Sequence, residues 1–463
     1  MLVIIVWNRQ LYKDDFRFPL KEPEINGKIR GKKAGEGLLK TPWYKMDNAG
    51  TMYSSLQKEE FSAIYRFSAV MTEKVDPQAL QRAIDGVLPR FPGFRSKIRK
   101  GFFWYYFEPN RAIGPFLRPD AAEPCRPIRF SEDNHWLVRF YYYEKRISIE
   151  VFHAISDGAG ALVFLKNLLA QYLREKGVSV PVQGDVLDLQ EKSNGLEWED
   201  AYSRWALKKG KAQQLQRHVY QNVGSAEPFY TFNVTMGFVP VDILKEKAAQ
   251  LQVSITEYLS AAFMFVLMEK QREEKPVREK KIALSVPVNL RSFFESRTLR
   301  NFILTVQPWI DPALGDYSFP EVAQRVHNQM RILTEKQEMQ SAFTRNVRFQ
   351  TNGLLKLVPI FLKDPALYLS YRLKGTDPYT AIFTNPGLFR VPEEMEKHIH
   401  HVEFIAGQAQ VPRPHMAVIS YRNIMEITFS GTMRETDTER RFFRFLVEQG
   451  IPVTVESNRQ YRE

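Results

Sequence analysis

Between Arg146 and Gly177 the hydrophobic period switches within a few residues, and that switch most narrows what this chain can fold into. R-I-S-I-E-V-F-H alternates strictly, so Ile147, Ile149, Val151 and His153 share one face of a strand. The following G-A-G-A-L-V-F-L-K-N-L-L-A-Q-Y-L-R-E-K-G sets Leu162, Leu165, Leu169 and Tyr172 at helical spacing, with basic residues and Gly177 as its stop. His153 therefore leaves the core-facing side of a strand just before the chain turns. Asp157 falls at the helix N-terminus, where a carboxylate caps free backbone N–H groups. Two readings follow. One is a packed core histidine beside a plain cap; the other is a general base mounted on a rigid scaffold, and spacing alone leaves both open.

At 463 residues the chain exceeds the size at which one hydrophobic core stops growing, so two domains are expected. The pattern predicts a basic N-terminal extension over residues 1–40, a first subdomain over 41–215 and a second over 216–463. In the first, Asp76 caps a helix, Pro77 takes its first position and Pro89 ends it. Two aromatic strands follow, G-F-F-W-Y-Y-F-E-P and H-W-L-V-R-F-Y-Y-Y, the second joined by E-K-R to the His153 strand as a hairpin. Residues 177–227 lose apolar periodicity and read as a polar linker. Beyond it come a strand through T-F-N-V-T-M-G-F-V-P-V and a helix opened by the capping box Ser254-Ile255-Thr256-Glu257. A strand to Val286, a helix over 319–338, the S-Y-R-N-I-M-E-I-T-F-S-G strands and a last helix from Thr436 to Gln449 follow. Strands beside helices in both halves make the expected class α/β, a mixed sheet with covering helices.

Composition removes several function classes. One cysteine, Cys125, excludes an internal disulfide and fits a reducing compartment, and no reactive-cysteine signature surrounds it. The eight histidines show no metal spacing; H-I-H-H at His398, His400 and His401 is expected to be a solvated or partner-facing patch, with no zinc. M-L-V-I-I-V-W at the start is too short for a signal peptide or a membrane span, and no other run approaches a span, so a cytoplasmic protein is expected. The segment from Gly353 to Lys374 mixes apolar and basic residues as an interfacial helix would, though Pro359 and Pro365 interrupt it. It is read either as a peripheral membrane contact or as a lid or tunnel wall. A net charge of +12 suggests an anionic partner, but no nucleic-acid-binding signature or phosphate loop accompanies it. Aromatic residues make up 13% of the chain, which large cores explain and an aromatic-lined tunnel would also use.

The H-x-x-x-D-G run from His153 to Gly158 resembles the signature of the CoA-dependent acyltransferase superfamily. That group includes chloramphenicol acetyltransferase, nonribosomal peptide condensation domains, wax-ester synthases and alcohol acetyltransferases. Its fuller form has a histidine where this chain has Phe152, but His153 matches the catalytic one. K-I-A-L-S-V-P-V-N-L-R, ending at Arg291, is similar to the strand and P-V-x-x-R of the second half of these enzymes. A-I-F-T-N-P-G-L-F, with Thr384, Asn385 and Gly387, resembles their S-N-x-x-G segment. W-Y-K-M-D-N-A-G from Trp43 and L-P-R-F-P-G-F-R-S-K-I ending at Ile98 look like early landmarks of bacterial alcohol acetyltransferases, so the resemblance spans about residues 41–455. The D-F-G-W-G element of plant and condensation-type relatives is absent.

The resemblance implies two similar chloramphenicol-acetyltransferase-like subdomains with a tunnel between them and His153 at its middle. It implies that Asp157 turns away from the site to pair with an arginine, for which Arg291 is the candidate. Gly158 and Gly160 would let a pantetheine arm approach, and Asn385 or Thr384 would donate to the oxyanion. The expected activity is transfer of an acetyl or other acyl group from acyl-CoA to a small-molecule alcohol, with no permanently bound cofactor and no nucleic acid. A neutral imidazole can take the hydroxyl proton, and no nucleophile elbow supports a covalent intermediate. Two alternatives stand beside it: a donor carried by an acyl carrier protein, and a catalytically silent binding protein on the same fold.

Overall fold

The computed structural model describes residues 3–6, 44–56, 62–120, 123–130, 133–228, 231–275, 278–353, 357–370, 378–407, 413 and 415–459. In chain order the first half holds β1 (Val3–Val6), β2 (Tyr44–Lys45), α1 (Asn48–Leu56), β3 (Ile64–Met71), α2 (Pro77–Val87), β4 (Ser96–Lys100) and β5 (Tyr105–Pro109). It continues through β6 (Leu117–Pro119), β7 (Val138–Tyr143), β8 (Arg146–Phe152), α3 (Gly158–Glu175) and α4 (Ala201–Trp205). The second half holds β9 (Asn233–Pro240), α5 (Val241–Gln250), α6 (Ile255–Glu273), β10 (Ile282–Asn289), β11 (Ile303–Val306), β12 (Trp309–Ile310), α7 (Phe319–Leu333) and α8 (Lys336–Thr351). After these come α9 (Ile360–Ser370), β13 (Ala381–Thr384), α10 (Glu393–Glu396), β14 (Ile399–Ile405), β15 (His415–Tyr421), β16 (Ile424–Gly431), α11 (Asp437–Glu448) and β17 (Thr454–Ser457).

The first sheet runs β14-β3-β8-β7-β6 and the second β1-β17-β9-β16-β15-β13-β10-β11, with β12 beside β10 and a small β2-β5-β4 sheet apart. Both large sheets are mixed: β6–β7, β10–β13, β13–β15 and β1–β17 pair in parallel, the other large-sheet pairs antiparallel. α2 and α3 cover the first sheet and share its core through Ile84, Phe164 and Leu168. α6, apolar on nearly every side, is the central helix of the second core, packed by α7 and α11. Truncating a wholly buried side chain such as Phe263 would cost about 3–5 kcal/mol.

The expected division at residue 215 is crossed by a strand. β14, from the second half, forms the edge of the first sheet, where Phe404 stacks on Phe67 at 4.4 Å between ring centroids. Burial of that aromatic pair ties the halves together more firmly than two separate domains would be. Of the expected N-terminal extension only Val3–Val6 is described, paired with β17; the rest, with Trp43 of the early landmark, lies outside the described residues. The helix expected over 319–338 ends at Leu333, and α8 begins at Lys336 as a separate element. The polar linker is well anchored: Trp198, Ala201 and Tyr202 are buried.

Strict alternation in β8 does not leave its polar face in water. Glu150 lies opposite Arg66 on β3 and Arg139 on β7, so a cation flanks it on each side. Arg66 donates to Glu150 Oε1 through Nε at 3.0 Å and Nη2 at 2.7 Å, while Arg139 Nη2 meets Oε2 at 2.7 Å. Cys125 donates its backbone N–H to the same carboxylate at 2.6 Å. Burial and the Glu150 charge push its thiol well above the ordinary range, so the one cysteine is a protonated core thiol.

Candidate active site

The turn between β8 and α3 holds His153 between aromatic and amide partners. Its backbone N–H donates to Ala63 O at 2.8 Å, extending the strand pairing by one residue. The half-buried ring stacks on Tyr53 of α1 at 4.2 Å and meets the edge of Tyr65 at 5.0 Å. The Tyr65 hydroxyl lies 3.0 Å from each of the Ser156 and Asp157 carbonyls, which fixes the turn below the ring. Phe152, standing where the fuller motif has a histidine, is buried on the opposite strand face against Phe130. That position points away from the site.

Asn301 determines the tautomer of His153. Its Nδ2 donates to His153 O at 2.9 Å and lies 3.4 Å from Ala154 O, so its Oδ1 is the atom 3.0 Å from His153 Nδ1. An oxygen there only accepts, so Nδ1 carries the hydrogen and the neutral ring keeps its lone pair on Nε2. Burial lowers the pKa below the usual imidazole value, against the opposing influence of the ring's own backbone carbonyl, the Asp157 carboxylate and Asn301. The ring is therefore a neutral base at pH 7.

Asp157 does not touch the imidazole. Wholly buried, it caps α3 by accepting from Gly160 N at 3.0 Å through Oδ1. Its Oδ2 accepts from Arg291 Nη1 at 2.8 Å and from Phe302 N at 2.8 Å. Arg291, which lies past β10 in the second half, also donates to Thr298 O at 2.9 Å and Arg300 O at 2.6 Å. Asp157 and Arg291 thus clamp residues 298–302, the stretch that presents Asn301 to His153. Beyond its charge, the carboxylate reaches the imidazole only through this loop.

The two motif glycines differ. A β-carbon at Gly158 would lie 3.6 Å from Phe67 Cζ and 4.0 Å from Pro386 Cβ, ordinary contact distances. One at Gly160 would sit 2.1 Å from Leu299 O and 2.4 Å from Ser156 Oγ. Gly160 therefore belongs to the packing of α3 on the 298–302 loop, which corrects the expectation that it opens space for a pantetheine arm. Asn385 is likewise engaged: its Oδ1 accepts from Gly387 N at 2.8 Å in a turn whose Gly387 has φ +92°, and its Nδ2 donates to Thr256 Oγ1 at 3.0 Å. Thr384 ends β13, half-buried, next to that turn. Pro386 of the turn is the residue facing Gly158. The histidine patch, expected to be solvated or partner-facing, is divided: His400 is exposed, but His401 Nε2 lies 3.3 Å from the buried Glu403 carboxylate. Among the described residues no group of histidine, cysteine and carboxylate side chains could hold a metal ion.

Tyr53 and Asn301 carried no sequence signal. Neither stands at a recognisable spacing from His153, and both reach it only through the tertiary fold.

No family model matches the chain, and no curated protein matches it in sequence. Solved structures do match in fold. The trichothecene 15-O-acetyltransferase of Fusarium sporotrichioides aligns with a TM-score of 0.59 at 11% identity, over 88% of this chain and 93% of that one. The first condensation domain of the CDA synthetase aligns at 0.56 and 13% identity, over 88% and 96%. Polyketide synthase associated protein 5 of Mycobacterium tuberculosis aligns at 0.53 and 13% identity, over 87% and 97%. The chain has the two-part fold shared by CoA-dependent acyltransferases and condensation domains.

Proposed function

We propose that this chain is an acyltransferase that moves an acetyl or other acyl group from a CoA thioester to an alcohol, with His153 as general base. The observation that carries the proposal is the Nδ1–H···Oδ1 bond to Asn301, which directs the lone pair of a neutral imidazole to Nε2. In the proposed step Nε2 removes the hydroxyl proton as the alcohol oxygen bonds to the thioester carbonyl carbon. The tetrahedral intermediate then collapses, the carbon–sulfur bond breaks, and Nε2 returns the proton to the departing thiolate. Asp157 and Arg291 hold the geometry and take no part in proton transfer. For the oxyanion we assign a donor from the Thr384–Asn385 pair, since the Asn385 Nδ2 keeps a second hydrogen beyond the one given to Thr256. The protonated, buried Cys125 and the absence of a nucleophile elbow favour direct transfer over an acyl-enzyme.

The test pairs acetyl-CoA and longer acyl-CoAs with a panel of alcohols, read as release of CoA thiol. His153→Ala is expected to lower turnover by at least about a hundredfold with the fold intact. Double-reciprocal plots should intersect, and labelled acetyl-CoA alone should leave no label on the denatured protein. Full turnover by a folded His153→Ala protein would sink the assignment. Activity only with an acyl-carrier-protein thioester would move the donor to the carrier, and binding without turnover on either donor would make the chain a binding protein.

A further inference from the structure

The helix α9 is built inside out. Its two charged residues point into the protein: Asp364 accepts from Ser55 Oγ at 2.9 Å, Lys100 Nζ at 2.7 Å and Tyr105 OH at 2.6 Å, and Lys363 Nζ donates to Phe103 O at 2.9 Å. Its outer face carries Phe361, Leu362 and Leu369, exposed at 60%, 55% and 55%. Pro365 lies within the helix on that outer side, so the expected interruption does not end it. A surface helix of a soluble protein normally shows the reverse pattern, with its apolar stripe buried.

The β4–β5 hairpin tip continues this apolar surface. Phe102 and Trp104 are 65% and 52% exposed, and the Phe102 ring lies 6.3 Å from that of Phe361. Ile360 N donates to Phe102 O at 2.9 Å, so helix and hairpin form one surface. Contiguous exposed apolar surface of this kind marks an interaction site.

Charge identifies the partner. Lys100 and Arg99 rise from the base of the hairpin with side chains 54% and 49% exposed. Across β4, β5 and α9 the four cations Lys97, Arg99, Lys100 and Lys363 outnumber the two carboxylates Glu108 and Asp364, in a chain of net charge +12. Aromatic and aliphatic side chains among cations match a bilayer interface with anionic headgroups, where rings sit at headgroup level and lysines meet phosphate. We propose that the surface formed by α9 and the β4–β5 tip docks this protein on an anionic lipid bilayer.

The docked surface lies one helix away from the site. α9 packs on α1 through the Ser55–Asp364 bond, and α1 supplies the Tyr53 ring stacked on His153. Its consequence, which rests on the acyltransferase reading, is that the acceptor is a long-chain alcohol dissolved in the lipid.

Sedimentation with vesicles tests the docking and requires no turnover, so it stands whether or not the acyltransferase reading does. The wild-type chain is expected to sediment with vesicles of equal parts phosphatidylcholine and phosphatidylglycerol, and more weakly with phosphatidylcholine alone. Trp104→Ser with Phe361→Ser should weaken partitioning by about tenfold or more, since each ring carries more than one decade of transfer free energy when buried. Leu362→Ser with Leu369→Ser is the second variant, and both should keep the wild-type melting temperature. Transfer to a water-soluble short-chain alcohol should be unchanged in these variants, while transfer to a long-chain alcohol presented in the vesicles falls in step with binding. Equal partitioning of wild type and variants, or no binding to either vesicle, overturns the docking. So does a dimer in solution that the same substitutions dissociate while vesicle binding is absent. Equal loss, or equal retention, on both acceptors overturns the link to the site.

Discussion

Two aspartate–arginine contacts meet on the 298–302 loop, and they are constructed differently. Asp157 is wholly buried with every oxygen supplied: Gly160 N on one, Arg291 and Phe302 N on the other. Arg291 also donates to two carbonyls of the same loop and to Asn289 Oδ1. Asp47, equally buried, has Gly50 N at 2.7 Å on Oδ1 and only the 3.1 Å contact with Arg300 Nη2 on Oδ2. Burial wins there over the Arg300 charge and raises the Asp47 pKa to about 6. Asp157, surrounded by donors, is a fixed strut, whereas Asp47, short of them, holds its proton more tightly than an ordinary carboxylate. The strut lies on the motif that presents His153; Asp47 lies just before α1, which carries the Tyr53 ring stacked on His153.

The sharpest way to break that contrast is Asp157→Ala. Removing one partner of a buried pair strands the Arg291 charge and frees the loop, so about 3–5 kcal/mol of stability should go along with activity. Activity lost without any change in melting temperature would instead make Asp157 a direct participant. Arg291→Lys comes next, because an ammonium cannot span the Asp157, Thr298 and Arg300 acceptors together; a loss of about 1–3 kcal/mol is expected in denaturant titrations. A lysine variant as stable as wild type would show that the fork geometry is unimportant.

Asn301→Ala addresses the imidazole itself. Turnover should fall about tenfold to a hundredfold with KM nearly unchanged. The hydrogen bond from Nδ1 raises the imidazole pKa, so its removal moves the acid limb of the rate profile to lower pH. In the wild type that limb should already lie below pH 6.5, since the neutral base is needed and its pKa is lowered. An unmoved limb would separate Asn301 from His153. The smallest effect belongs to Asp47→Asn. Because the folded pKa of about 6 exceeds the ordinary carboxylate value of 3.8, the Asp47 contribution to stability is present below 3.8 and is lost as pH rises through about 6. Melting temperatures across this window should decline in the wild type relative to the Asn variant; parallel curves would mean that Asp47 is ionised throughout.

Much of the architecture was legible because it depends on local period and local chemistry. The β8–α3 join, the Asp76 and Asp157 caps and the Ser254–Glu257 capping box are satisfied within a few residues, so adjacent residue types suffice to announce them. The Asp157–Arg291 pair was visible only through family resemblance, since no periodicity connects positions 134 residues apart. The helix expected to run to residue 338 failed at Thr334, where nothing in the apolar spacing marks the break.

What the sequence by itself determined is the mounting of one histidine between a strand and a capped helix, because backbone hydrogen bonding and side-chain alternation are local. What only the tertiary structure decided is which groups surround that histidine and fix its tautomer. Tyr53, Asn301 and Arg291 come from separate elements, and only packing brings them within reach of the turn. The same holds for Gly160, whose missing side chain is required by the Leu299 carbonyl pressed against it. The orientation of α9 was settled in this way too: its composition allowed either face to turn inward, and the hydrogen bonds available to Asp364 beneath it chose the polar one.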